Sequence, residues 1–249
     1  MGADLNDRNW LLTFVECIDS MNPEELRDII GWDIANWSQA LPFWEQHLPR
    51  ETAGLTMLEI GGGDGGLSIF FGRKGMRVTC SDFGGPNEIA RSSHEKYGLA
   101  SVEYADIDAT EIAFPDSSFD VVAFKSVLGA IAPDGTDRLQ RKVIDEIHRV
   151  LKPGGVLLFV ENMVGTPAHK YLRRRLRQWG AMWRYPSIEE FEEFCEEFES
   201  LDWRTCGVMG ALGNTERKQR LLSVVDRVLG PFLPDSMKYI FIGAARKRK

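Results

Sequence analysis

An α/β fold is what this sequence predicts: a mostly parallel sheet with helices on both faces and a helical extension at the N-terminus. Three observations lead there. From Leu55 to Asn162, short apolar runs alternate with amphipathic helical segments, a rhythm that calls for parallel strands joined by helical crossovers. Between the first strand and the first helix of that rhythm lies GGGDGG, Gly61 to Gly66, whose five glycines permit positive φ and close approach of a ligand to the backbone. Residues 1–50, by contrast, carry helical spacing.

In chain order, NPEELRDII begins a helix, with Asn22 as N-cap, Pro23 at the first helical position and two acids in the first turn. In DIANWSQALPFWEQHL, Ile34, Trp37, Leu41 and Trp44 recur at helical spacing. Trp32, Trp37 and Trp44 read as core, although a helical lid over a pocket would have the same pattern. The first strand is LTMLEI and the helix after the glycines is LSIFFGRKG. MRVTCSD is the second strand, PNEIARSSHEKYG the second helix, SVEYADIDA a short third strand and FDVVAFKSVL the fourth. Residues 136–151 form an amphipathic helix, with Leu139, Val143, Ile147 and Val150 on one face. LKPGG then reads as a turn and VLLFVEN as the fifth strand. Beyond Asn162 the rhythm changes. HKYLRRRLRQWGAMWRYP is basic and aromatic, SIEEFEEFCEEF opens with a capping box at Ser187 and Glu190, a helix is expected over 215–229, and KYIFIGAAR reads as a closing strand. No repeat or low-complexity linker divides the chain, which favours one domain.

Composition narrows the class. Of 249 residues, 43% are hydrophobic and 27% charged, enough to build a core. A formal charge of −7 argues against a nucleic-acid partner. Cys17, Cys80, Cys195 and Cys206 form no CxxC pair and read as buried free thiols, with a cytoplasmic setting expected. There is no signal-peptide run, no membrane span and no myristoylation motif. The histidines are dispersed, so no metal is expected. Monomer and homodimer stay open.

Read as Gly61-x-Gly63-x-x-Gly66, the loop fits the dinucleotide fingerprint, and Asp82 at the end of the second strand would accept from ribose hydroxyls. That leaves hydride transfer with NAD(P), group transfer from another adenosine cofactor, and a noncatalytic cofactor-binding scaffold all open. Glu59 separates the first two, because a carboxylate two residues before the glycines repels a pyrophosphate and attracts a cationic ligand.

LEIGGGDGG, CSD, IDATEIAFPDSSFDVV and IHRVLKPGGVLLF follow in order. Together they resemble the class I, Rossmann-like, seven-stranded S-adenosylmethionine-dependent methyltransferases over roughly residues 53–162, and in outline thereafter, through an antiparallel strand pair near 200–210 and 237–246. The resemblance implies a small-molecule acceptor and S-adenosyl-L-methionine as cofactor. It gives cofactor roles to Glu59, Gly61, Gly62, Gly63, Asp82, Phe83, Asp108, Ala109, Phe124 and Lys125: the glycines and Glu59 at the methionine end, Asp82 and Phe83 at the ribose, Asp108 and Ala109 at the adenine. Residues 1–50 would be an extension or lid, 51–249 the methyltransferase domain, and 163–200 an acceptor-site insertion.

Transfer from a sulfonium is an in-line displacement that needs a positioned nucleophile and a dry site. A hydroxyl acceptor also needs a base. Polar residues at the C-terminal strand ends are the candidates: Lys125, Glu161 and His169 as catalytic groups, and Ser126, Asn162, Trp183, Arg184 and Tyr185 on the acceptor. His47, His94 and His148 read as structural. Arg173, Arg174, Arg175 and Arg177 either bind an anionic acceptor or pair with the glutamates of 189–199. CSDFGGP, FKSVLGAI and WGAMWRYP also resemble methyltransferases encoded among bacterial polysaccharide-synthesis genes, which implies a sugar or nucleotide-sugar acceptor and transfer to O or N.

Overall fold

The computed structural model describes residues 21–132, 135–166, 169, 183–210, 218, 222–223, 225–226 and 229–249. Seven strands form one sheet in the order β3-β2-β1-β4-β5-β7-β6: β1 Thr56–Ile60, β2 Arg77–Asp82, β3 Glu103–Asp106, β4 Phe119–Lys125, β5 Leu151–Asn162, β6 Ser200–Cys206 and β7 Ile240–Arg246. The pairs among β1 to β5 are parallel, and β7 runs antiparallel between β5 and β6. This is the mostly parallel, Rossmann-like sheet with the expected closing pair.

Eight helices among the described residues flank it: α1 Pro23–Ile30, α2 Ile34–Trp37, α3 Ala40–Glu45, α4 Gly66–Gly72, α5 Glu88–Lys96, α6 Leu128–Ile131, α7 Arg138–Val150 and α8 Ile188–Phe194. The caps follow the sequence: Asn22 accepts from Glu24 N–H, and Ser187 and Glu190 close their capping box. Strand alternation splits the core in two. Val121, Ala123, Val156, Leu158 and Val160 face the cluster holding Leu26, Ile29, Trp37, Leu41 and Trp44 of the N-terminal helices. Val122, Phe124, Leu157 and Phe159 face α7 and α8. Residues 21–50 are thus built into the core; a Cβ on Gly66 would lie 2.2 Å from the Ile29 carbonyl oxygen.

Three local expectations change. LKPGG is not a turn between elements but the start of β5, with a register shift between Phe119 and Val121 and Gly154 at φ 76°. The helix expected across 33–48 is two short ones, with Asp33 left-handed at φ 43°. In α7 the buried stripe is Gln140, Val143, Ile144, Ile147 and Val150, one step round from the stripe that began at Leu139. Cys80 and Cys195 are buried free thiols and Cys206 is partly buried. Cys17, Arg173, Arg174, Arg175, Arg177 and most of 215–229 lie outside the described residues. Among the described residues no helix is long and apolar enough to cross a membrane.

Candidate functional site

The C-terminal ends of β1, β2 and β4 come level at one edge of the sheet, where Glu59 pairs with Cys80 and Ile60 with Phe124. After β1 the chain turns through Gly61, Gly63 and Gly65, all at positive φ. Gly62 N–H donates to Ser81 O at 2.8 Å, and Gly63 N–H to Asp82 Oδ2 at 2.8 Å. A Cβ on Gly63 would meet only that Asp82 oxygen, at 3.9 Å, so this face of the turn is open. Gly62 is packing: a Cβ there would lie 2.8 Å from Cys80 Sγ.

Glu59 is buried and accepts from Leu67 N–H at 3.1 Å, from Ser68 N–H at 2.8 Å and from the Ser68 hydroxyl. It caps the first turn of α4 from beneath the glycines, where the helix N-terminus favours a carboxylate. Burial nevertheless raises its pKa, against the hydrogen bonds from Ser68 and Leu67. Asp82 is half-buried and also accepts from Phe83 N–H at 2.8 Å; Phe83 is 78% exposed. Asp108 is exposed and accepts from Thr110 N–H at 2.8 Å and the Thr110 hydroxyl at 2.7 Å, bonds that lower its pKa. Among the described residues, the Ala109 N–H donates to no protein acceptor.

At the end of β4, Phe124 turns away from this edge. It is fully buried and stacks on Phe159 at 5.2 Å between ring centroids, a core residue rather than a cofactor wall. Lys125 points the other way, its Nζ 5.9 and 5.8 Å from the ring centroids of Trp32 and Trp37. Ser126 is left-handed at φ 59° and accepts from Asn162 Nδ2 at 3.1 Å. Val127 packs against Gly61, where a Cβ would lie 2.5 Å from its Cγ2.

Residues 58–159 match the methyltransferase domain family by that description. Over residues 58–159 the chain thus carries a methyltransferase domain of the class I, S-adenosylmethionine-dependent type. The cofactor of that family is S-adenosylmethionine. It is 29% identical to the 2-methyl-6-phytyl-1,4-hydroquinone methyltransferase of Synechocystis, across 59% of this chain and 46% of that one. It is 34% identical to the demethylmenaquinone methyltransferase of Clavibacter sepedonicus, across 49% of this chain and 46% of that one. The chain thus spans about half the length of these curated relatives. Phosphoethanolamine N-methyltransferase 2 of Haemonchus contortus, solved with S-adenosyl-L-methionine, shares the fold at TM-score 0.60 and 22% identity, across 86% of this chain and 53% of that one.

The groups at this strand edge fit an adenosyl sulfonium. Gly63 leaves backbone accessible, Asp82 keeps lone pairs toward solvent, and the exposed Phe83 and the Ala109 N–H lie farther along the edge. Two groups proposed as bases are committed elsewhere. Glu161 is fully buried and accepts from Leu128 N–H at 2.7 Å and Asn162 N–H at 2.8 Å, holding the start of α6. His169, read from sequence as a catalytic group, is 5% exposed, with Nδ1 against the Thr166 hydroxyl and Nε2 against the Val208 carbonyl. Arg184 is similarly engaged: its guanidinium bonds Gly135 O, Gln140 Oε1 and Glu190, and so ties residues 183–187 to α7 and α8. Trp183 and Tyr185 are half-buried, with ring centroids 6.4 Å apart, and Trp183 packs over Gly129.

His94, read from sequence as structural, binds Gly65 O at 3.0 Å and the Tyr104 hydroxyl at 2.7 Å and so fastens the glycine turn to β3. Sequence reasoning passed over Gln140, fully buried, whose amide donates to Leu128 O at 2.8 Å and Arg184 O at 3.1 Å. A glutamine within an apolar stripe was the available signal.

Burial pushes Glu161 up to about 7, against the backbone donors of Asn162, Leu128, Val127 and Gly129. A carboxyl with a raised native pKa contributes stability that is full below its unfolded value near 4.5 and lost as pH rises through about 7. The expected contribution is on the order of 2–3 kcal/mol across that window. Thermal melts from about pH 5 to about pH 8 check it, with Glu161→Gln as the non-titrating reference. Parallel profiles in the two proteins would contradict it.

Proposed function

We propose that this chain transfers the methyl group of S-adenosylmethionine to a small molecule that brings its own nucleophile, an electron-rich aromatic carbon of the phenol or hydroquinone type. The observation that carries this reading is the engagement of Glu161 and His169: both candidate bases are buried in hydrogen bonds to the protein. A sugar hydroxyl needs a base, whereas an activated ring, an amine or a thiolate needs chiefly orientation. The sulfonium supplies an electrophilic methyl group and leaves as a neutral thioether, and the methylated ring carbon gives up its hydrogen as a proton, which passes to solvent once the transfer is complete. The protein's part is to hold the acceptor in line with the methyl carbon and to keep water out.

The aromatic side chains at this edge support the choice. Trp32, Trp183 and Tyr185 are half-buried, and residues 183–186 are fixed there by Arg184 N–H to Gly129 O at 3.0 Å and Val164 N–H to Pro186 O at 3.1 Å. Flat rings suit such walls. The 163–200 segment is therefore read as the acceptor side and residues 21–50 as the opposite wall. Two relatives carry the names hydroquinone and demethylmenaquinone methyltransferase, and the relatives named here offer no support for the sugar reading. Incubation with methyl-labelled S-adenosylmethionine and a panel of phenols, hydroquinones, amines and sugars tests the proposal. Label is expected on the phenolic and hydroquinone acceptors; label on sugars alone would overturn it.

A further inference from the structure

We propose that Lys125 Nζ is the cationic centre of an anionic-oxygen subsite, walled by Trp32 and Trp37, at the methyl-transfer end of the strand edge. This deepens the methyltransferase reading and rests on it. The indole pair, with centroids 4.3 Å apart and planes at 52°, comes from the N-terminal helical region, whereas the lysine comes from β4. The ammonium sits 5.8 and 5.9 Å from the two centroids, within reach of cation–π attraction. Among the described residues it makes no hydrogen bond and no ion pair, although it is mostly withdrawn from solvent. An ammonium so placed is costly until an oxygen meets its N–H donors.

The acids that act on it through space are Glu59, Glu161 and Asp64. None of them bonds the ammonium: Glu59 accepts from Leu67 and Ser68, Glu161 from Leu128 and Asn162, and Asp64 Oδ1 from Asn87 Nδ2 at 2.7 Å. The lysine therefore has charge to offer and no partner built into the protein to take it. The oxygen has two sources of the same chemistry: the carboxylate of the cofactor's methionine portion, or a carboxylate or phenolate of the acceptor. Burial lowers the lysine's pKa, so binding through it weakens at a less alkaline pH than for an ordinary lysine.

The test is calorimetric titration of the wild type, Lys125→Met and Lys125→Gln with S-adenosylhomocysteine and with 5′-methylthioadenosine, which lacks the amino-acid portion. A third titration adds 4-hydroxybenzoate to the S-adenosylhomocysteine complex. If the cofactor supplies the oxygen, both variants bind S-adenosylhomocysteine about 10- to 100-fold more weakly and bind methylthioadenosine unchanged. If the acceptor supplies it, S-adenosylhomocysteine affinity holds and the variants lose 4-hydroxybenzoate binding that the wild type shows. Lys125→Arg keeps the charge and most of the affinity. Variants that match the wild type in all three titrations overturn the subsite while leaving the methyltransferase reading intact. A wild type that binds no S-adenosylhomocysteine overturns that reading itself.

Discussion

Gly65→Ala is expected to destabilise the protein by about 2–5 kcal/mol and to abolish most cofactor binding with it. Two independent penalties add. Gly65 is left-handed at φ 77°, a conformation that costs an L side chain about 1–2 kcal/mol. Its Cβ would also lie 2.4 Å from His94 Nε2 and 3.0 Å from Ala90 Cβ, an overpacking worth about 1–3 kcal/mol. His94 is fully buried and held by Tyr104, so it has little room to yield. Any shift of Gly65 also drags Gly62, whose carbonyl accepts from Gly65 N–H at 2.7 Å, and with it the turn that meets the cofactor. Thermal melts and S-adenosylhomocysteine titration check this. In a His94→Ala background the clash with the ring is gone, so Gly65→Ala should cost less there than in the wild type, with the backbone part remaining. A single variant that melts and binds like the wild type would contradict it.

Asp82→Ala is expected to weaken S-adenosylhomocysteine binding by about 1–3 kcal/mol, roughly 10- to 100-fold, with a smaller effect on the melting temperature of the protein alone. The carboxylate orders Gly63 N–H and Phe83 N–H across the edge and, being half-buried, still offers lone pairs to ribose hydroxyls. Its removal therefore loses a ligand contact and loosens the turn together. In the alanine protein the freed N–H groups can turn to water, which limits the cost to folding. Unchanged affinity in a folded variant would remove Asp82 from the ribose site.

The sheet was legible because each strand is a short apolar run between punctuated helices, and because GGGDGG, Asp82 and the 107–122 stretch keep a fixed order. LKPGG misled because proline and glycine signal a turn even where a bulged strand start accommodates them. Phe124 could have been placed by parity: it shares a face with Val122, and Lys125 shares one with Ala123. Glu161 and His169 could not. Residue type and strand-end position suggest a base, but the Leu128 N–H and the Val208 carbonyl that occupy them come from backbone brought in by the fold. The same holds for Lys125, whose indole neighbours lie about ninety residues earlier in the chain.

The central claim is that the glycine turn seats a sulfonium cofactor rather than a dinucleotide. Parallel calorimetric titration of the wild-type protein with S-adenosylhomocysteine and with NAD tests it most directly. Saturable binding of S-adenosylhomocysteine with none of NAD is the predicted result, since Glu59 lies beneath the turn and no cation stands there for a pyrophosphate among the residues that touch Gly61 to Gly63. Saturable binding of NAD alone would contradict the account.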